Sequence, residues 1–149
     1  KLLFLSKDSF DESKIDHIIF GSGISAFELE DLLIQRNFKK VLKTISYMRE
    51  QDRQSSAPII WIISKVINSC LESLKAKDKK SALIKSGVWS SKINLYLELV
   101  KQAKTKDFLK LNEEILKIDL INKGLMKADA WEQIDSLVLK LQDATALQT

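Results

Sequence analysis

Residues 58–74 read PIIWIISKVINSCLESL and contain the longest purely apolar run of the chain, IIWII at 59–63. Apolar side chains recur along this segment at spacings of three and four residues, which is the pattern of a helix that buries one face. Ile60 and Trp61 make its first turns apolar nearly all round. Pro58 stands in the first turn, where its missing amide N–H costs nothing. The segment therefore predicts a long central helix, the most buried one of the fold.

The rest of the chain carries helix-start signals and few helix breakers. One proline and four glycines in 149 residues leave few positions where a helix must stop. Ser25 and Asp129 each open a capping box, while Asn37 and Thr105 are the expected caps of two further helices. The helix after Thr105 is expected to reach about Leu125. We predict an all-α fold, a compact bundle of five to six helices.

The composition is typical of a soluble globular protein with a mild basic excess. Lysine and arginine number 24 against 20 acidic residues, a formal charge of +4, and only three of the basic residues are arginine. Lysine suits loose phosphate contact better than bidentate base recognition, so specific base readout is not expected. No apolar run approaches the roughly 20 residues that cross a bilayer. The single cysteine, Cys70, is expected to be a buried small hydrophobe in a reducing, cytoplasmic compartment.

The sequence offers no combination of side chains that would support catalysis or a bound cofactor. His17 is the only histidine, so neither paired histidines on a metal nor a Ser-His-acid arrangement is expected. Residues 21–23, Gly-Ser-Gly, lack the second glycine and the Lys-Ser/Thr pair of a phosphate-binding loop. Adjacent acids such as Glu113 and Glu114 point in different directions on a helix. We predict no catalytic, cofactor or metal residues and no enzymatic activity for this chain.

Two basic clusters keep a second function open, that of a helical nucleic-acid-binding module with a lysine-rich face. Contact with phosphates needs no sequence specificity, and lysines on one face are sufficient for it. Solvated helix faces and loops account for the same residues. The clusters are Arg36, Lys39, Lys40 and Lys43, and Lys75, Lys77, Lys79, Lys80 and Lys85. Both interpretations remain open on the sequence alone.

Several segments together form a recognisable helical pattern. Residues 24–33 read ISAFELEDLL, and residues 58–63 begin an apolar helix with proline. Residues 87–89, GVW, and residues 129–137, DAWEQIDSL, follow downstream. This pattern resembles the carboxy-terminal collar domain of the delta subunits of bacterial DNA polymerase III clamp loaders. The turn at 50–53 departs from that family because it lacks a glycine.

The resemblance implies a domain organisation and a set of partners. Residues 1–20 would be a remnant of the AAA+ lid domain, residues 21–24 a hinge, and residues 25–149 the helical collar domain. The implied partners are the ATPase subunits gamma and tau and the delta prime subunit, together with primed DNA in the assembled loader. The sliding clamp would be contacted only through the amino-terminal domain of delta, and no membrane partner is expected.

Two groups of candidate functional residues follow from the sequence. In the connection between the last two long helices, Lys123 and Lys127 flank Met126. Two interpretations of this connection are open: a plain interhelical turn, or a surface that faces primed DNA in the assembled collar, with the lysines near phosphates and Met126 against a base. Apolar side chains beyond the core stripes predict a subunit interface as well. The residues of this predicted interface are Leu95, Leu99 and Trp131.

Overall fold

The computed structural model describes residues 26–51 and 56–146, which form helices and no strands. The α-helices are α1 Ala26–Ile34, α2 Phe38–Gln51, α3 Ser56–Lys75, α4 Lys79–Lys85, α5 Ile93–Leu99, α6 Thr105–Asn122 and α7 Ala130–Ala144. A 3-10 turn, Ser90–Lys92, leads directly into α5. The all-α prediction is confirmed. The described part of the chain has seven α-helices, two of them with seven residues each, where five to six were predicted.

The predictions for the amino-terminal part fall outside the described residues. They are the lid remnant at 1–20, the hinge at 21–24 and the cap at Ser25.

The centre of the fold is α3. It packs most extensively against α6 and also contacts α1, α4 and α7. Because four helices surround it, 13 of its 20 residues are buried. Ser73 is one of several small polar residues on it, and its hydroxyl donates to the carbonyl oxygen of Cys70 at 2.7 Å. A hydroxyl that bonds back to its own helix is satisfied without a partner from a neighbouring helix.

By length and composition α3 would be able to cross a membrane. However, 67% of its most apolar 18-residue window is buried inside the protein. A helix that is apolar nearly all round and enclosed by its neighbours is typical of the core of a soluble protein. Cys70 lies on this helix and is fully buried, as predicted. Burial raises the pKa of its thiol, so the sulfur stays protonated and unreactive.

Two helices end at a glycine in the left-handed conformation. Gly87 follows α4 and Gly124 follows α6, with φ angles of +89° and +79°. At the end of α6 the amide of Leu125 donates to the carbonyl oxygen of Leu120 at 2.9 Å, which closes the turn around Gly124. This turn stops α6 at Asn122, so the predicted extension to Leu125 is wrong.

At the end of α1 the same left-handed position is occupied by Arg36, with a φ of +60°. A side chain in this conformation costs roughly 1–2 kcal/mol, so contacts elsewhere must offset it. Arg36 Nε donates to the Thr145 hydroxyl at 3.3 Å, and the guanidinium carbon lies 5.8 Å from the centre of the Phe38 ring. Because Thr145 directly follows α7, Arg36 joins the α1–α2 turn to the end of α7.

Two of the predicted helix caps are confirmed. The side-chain oxygen of Asn37 accepts from the backbone amide three residues on at 3.4 Å, and that of Asp129 from the amide two residues on at 2.9 Å. The cap predicted at Thr105 is wrong. Thr105 is already the first helical residue of α6. The capping position is Lys104, which has the extended backbone conformation of a cap but makes no side-chain capping hydrogen bond.

Replacing Ile67 of α3 with alanine tests the central position of this helix. The Ile67 side chain is completely buried, and truncating such a residue costs about 2–5 kcal/mol. We expect that loss in the free energy of unfolding, measured by urea titration with circular dichroism. The control is Ile84→Ala, the same change at a position that is 56% exposed, where the expected change stays within about 0.5 kcal/mol. Equal losses at the two positions would contradict the central role of α3.

Candidate interaction surface

A buried carboxylate joins three helices on one side of the bundle. The side chain of Glu30 in α1 is 1% exposed, and its oxygens accept from Lys92 Nζ at 2.8 Å and from the Tyr96 hydroxyl at 2.5 Å. Lys65 Nζ of α3 lies 3.4 Å from the same carboxylate. Lys92 immediately precedes α5 and Tyr96 lies within it. These four residues, the Glu30 cluster, therefore tie α1 to both α3 and α5.

The cluster keeps Glu30 ionised in spite of its burial. Burial by itself raises the pKa of this carboxyl group, but the charge of Lys65 and the hydrogen bonds from Lys92 and Tyr96 outweigh it. The pKa of Glu30 therefore lies below its ordinary value of 4.5. Burial, and then the charge of Glu30, raise the pKa of the Tyr96 hydroxyl, so that group stays protonated and can donate. Asp31 adds a second carboxylate, with 3.3 Å between its Oδ1 and Lys92 Nζ.

Two tryptophans flank the Glu30 cluster. Lys65 Nζ lies 5.9 Å from the centre of the Trp61 ring, and Lys92 Nζ lies 5.3 Å from the centre of the Trp89 ring. Both distances are in the range of cation–π contacts. Trp61 is partly buried against the core, whereas Trp89 is 57% exposed. Trp89 is thus a surface aromatic side chain in contact with a lysine that a buried carboxylate holds in place.

The exposed side of this arrangement is a small apolar corner between α4 and α5. Gly87 turns the chain at the end of α4, Val88 enters the core, and Trp89 remains outside. Ile84 stands at the end of α4 and is also exposed. We call Ile84, Gly87, Val88 and Trp89 the α4–α5 corner. Large apolar side chains on a well-anchored backbone are typical of a surface that contacts another protein.

Two of the three residues predicted at a subunit interface lie inside the bundle. Leu99 and Trp131 are buried in the core of this chain, because α5 and α7 turn these side chains inwards. The prediction that they form part of an outer surface is therefore corrected. Leu95 is partly buried and packs against the core. The exposed aromatic residue of this region is Trp89, the last residue of the GVW segment at 87–89.

The α6–α7 loop, residues 123–129, is a second exposed apolar region. Met126 and Lys127 lie at the surface, and Leu125 is 70% exposed. Lys123 differs from the other predicted DNA-facing residues, because its Nζ lies 2.5 Å from Asp119 Oδ2 and its charge is paired. Sequence reasoning missed Leu125, since the helix was expected to continue through it.

The two basic clusters differ in how much of their charge reaches solvent. In the first cluster Lys39, Lys40 and Lys43 are exposed on α2, whereas Arg36 is engaged with Thr145. All five lysines of the second cluster, around the α3–α4 connection, are exposed. The lysine-rich surface is therefore more extensive at the α3–α4 connection than on α2.

In comparisons with known proteins, no family model, no curated protein and no solved structure matches this chain. No group of His, Cys, Asp or Glu that could hold a metal ion occurs among the described residues. The geometry itself is that of an apolar, aromatic corner held by a buried charge cluster, an arrangement suited to contact with another protein.

Replacing Glu30 with glutamine removes the charge that Lys65 and Lys92 share. Lys65 then loses its carboxylate partner, and Lys92 keeps only the partly exposed Asp31, so we expect the free energy of unfolding to fall by about 3–5 kcal/mol near neutral pH. The folded-state pKa of Glu30 lies below 4.5. Wild type therefore keeps this stabilisation above pH 4.5 and loses it as the pH falls through the folded-state pKa. Urea titrations across this range should show the gap between the two proteins narrowing in acid.

The control for this change is Glu114→Gln in α6. Glu114 accepts from Lys140 Nζ at 2.6 Å, but both side chains are partly exposed. A surface pair of this kind contributes less than about 1 kcal/mol. Similar losses in the two variants, or a gap between wild type and E30Q that does not change with pH, would rule out the charge role given to Glu30.

Proposed function

We propose that this chain is a protein-interaction domain that joins a larger assembly through its α4–α5 corner. The observation that carries the proposal is Trp89, an exposed tryptophan whose ring contacts a lysine of the Glu30 cluster. Tryptophan is strongly enriched at the energetic centres of protein interfaces. A side chain that is already held in place loses little conformational freedom on binding, so more of its contact energy contributes to affinity.

The assembly that best fits the sequence is a bacterial clamp loader. The similarity of residues 24–33 and 129–137 to delta collar domains supports this assignment, and an all-helical bundle is compatible with it. On this proposal the chain is the carboxy-terminal collar domain of the delta subunit of DNA polymerase III, in the cytoplasm. It would bind the ATPase subunits gamma and tau and the delta prime subunit, so that the sliding clamp is loaded on primed DNA during replication.

On the same proposal the chain itself catalyses no reaction. ATP would be hydrolysed by the gamma and tau subunits, and nucleotidyl transfer would belong to the polymerase subunit of the holoenzyme. The chain would contribute binding surface alone.

Size-exclusion chromatography of this chain mixed with the collar domains of gamma and delta prime tests the proposal. In buffer without nucleotide and without clamp, we expect a joint peak, since the contact needs no ATP site. Trp89→Ala should weaken the association at least about thirtyfold, the effect of losing about 2 kcal/mol at an interface centre.

Leu139→Ala provides the matched control, because Leu139 is comparably exposed but lies on α7. We expect it to assemble like wild type. Separate elution of folded wild-type domains would refute the clamp-loader assignment. A joint peak that W89A leaves unchanged would refute the α4–α5 corner as the contact.

A second candidate function is binding of DNA through the α6–α7 loop. The observation that favours it is the exposure of Met126 beside Lys127, an apolar side chain next to a cation that has no ion pair among the described residues. Such a loop can contact a phosphate and a base edge together. This function is compatible with the first, since an assembled loader holds primed DNA.

Lys127→Ala and Lys123→Ala distinguish this second function from a plain interhelical turn. Lys127 has no ion pair in the described part of the chain, whereas the charge of Lys123 is paired with Asp119. We therefore expect Lys127→Ala to reduce the affinity of the assembled loader for primed DNA at low salt more strongly than Lys123→Ala does. Unchanged affinity in both variants, measured by fluorescence anisotropy, would exclude the loop from DNA contact.

A further inference from the structure

Helix α1 depends on its neighbours for its stability. It has nine residues, Ala26–Ile34, and a helix of this length is not stable on its own in water. It contacts α2, α3 and α5, and Leu29, Leu33 and Ile34 bury its apolar face. The Glu30 cluster adds polar contacts to α3 and α5. Because short elements open locally more easily than a whole fold, the docking of α1 responds to each contact at its surface.

Lys92 lies between α1 and the α4–α5 corner. Its Nζ lies 2.8 Å from Glu30 Oε1 and 3.3 Å from Asp31 Oδ1, and both carboxylates belong to α1. The same Nζ lies 5.3 Å from the centre of the Trp89 ring. The backbone amide of Lys92 also donates to the carbonyl oxygen of Trp89 at 2.9 Å, across the 3-10 turn. One lysine therefore contacts two carboxylates of α1 and the exposed tryptophan of the corner.

The α1 carboxylates hold the Lys92 side chain in this position. Only 11% of that side chain is exposed, whereas lysines usually extend their ammonium group into water. An ammonium group stays out of water when opposite charges compensate for its lost hydration. Without Glu30 and Asp31, Lys92 would turn towards solvent and leave the Trp89 ring. The tryptophan would then gain rotational freedom.

We infer that α1 controls the α4–α5 corner through Lys92, a positioning residue that keeps Trp89 in the conformation that binds the partner. The inference rests on the function proposed above for this corner. The coupling is reciprocal, because any effect of α1 on partner affinity implies an equal effect of the partner on α1. A partner bound to the ordered Trp89 therefore favours the docked position of α1. A change at α1 regulates a surface that α1 itself does not form.

Fluorine NMR of the full chain labelled with fluorotryptophan tests the control of Trp89 without any partner. The sequence has three tryptophans, and Trp89→Phe identifies the signal of Trp89. In Glu30→Gln and Asp31→Asn, both in α1, we expect this signal to move towards that of free fluorotryptophan, and further in Glu30→Gln. Because the Asp31 side chain is 41% exposed, Asp31→Asn keeps the test available if Glu30→Gln does not fold.

A double variant identifies the route through Lys92. Lys92→Met removes the ammonium group and should shift the Trp89 signal by itself. Adding Glu30→Gln to Lys92→Met should then produce no further shift, because the route is already lost. A further shift as large as that of Glu30→Gln alone would overturn the role of Lys92.

Leu33→Ala is the matched control. Leu33 is fully buried in the same helix, so its truncation lowers stability by loss of packing, but it contributes no polar group to the Glu30 cluster. While α1 remains docked the two carboxylates stay beside Lys92, and we expect the Trp89 signal to keep its position. A signal that stays in place in the folded charge variants, or that moves as far in L33A as in E30Q, would overturn the inference.

Binding of the collar domains of gamma and delta prime tests the coupling itself. We expect Glu30→Gln to weaken the association about tenfold and Asp31→Asn less than about fivefold. At saturating partner, hydrogen exchange of the α1 amides should slow in wild type but not in Trp89→Ala. Equal affinity of wild type and E30Q, or unchanged exchange in α1, would overturn the coupling. If the domains do not associate although the Trp89 signal moves as expected, the proposed function fails while the control of Trp89 by α1 is supported.

Discussion

The burial of one charge, that of Glu30, is the constraint on which the rest of the structure depends. A carboxylate leaves water only if cations and donors replace its hydration. The two groups that hydrogen-bond to it, on Lys92 and Tyr96, come from 62 and 66 residues further along the chain. Apolar packing positions the helices by shape, whereas the hydrogen bonds and ion pairs of this cluster also fix the directions in which α1, α3 and α5 meet. The contact between Lys92 and Trp89 follows from that arrangement.

Much of the fold could be predicted from local chemistry. The three- and four-residue spacing of apolar side chains predicted α3. The caps at Asn37 and Asp129 could be predicted because a cap depends only on the backbone and side chains within a few residues. Between α4 and α5, the 3-10 turn and the burial of Val88 beside the exposed Trp89 were not predicted, because they depend on tertiary contacts that periodicity does not encode. The end of α6 likewise depends on the left-handed Gly124, which competes with a helical pattern that continues past it.

The candidate site could be predicted only in part. Core and interface positions use the same residue types, so the sequence could not separate Leu99, which faces inwards, from Trp89, which faces solvent. Trp89 lies just before a 3-10 turn, where helical spacing assigns no face. Glu30 is one of several acids on α1, and nothing in its neighbourhood marks it as buried, because its partners are distant in sequence. Ion pairs between helices cannot be predicted until the relative positions of the helices are known.

The position of α3 in the middle of the chain has a consequence for how the protein is made. The helix emerges from the ribosome after α1 and α2, while α6, its main packing partner, is synthesised after α4 and α5. At about 5–20 residues per second, the face of α3 that packs against α6 stays uncovered for a few seconds. During that time the nascent chain presents a surface that chaperones bind. The choice among synonymous codons between α3 and α6 therefore bears on the yield of folded protein, although it leaves the amino-acid sequence of the core unchanged.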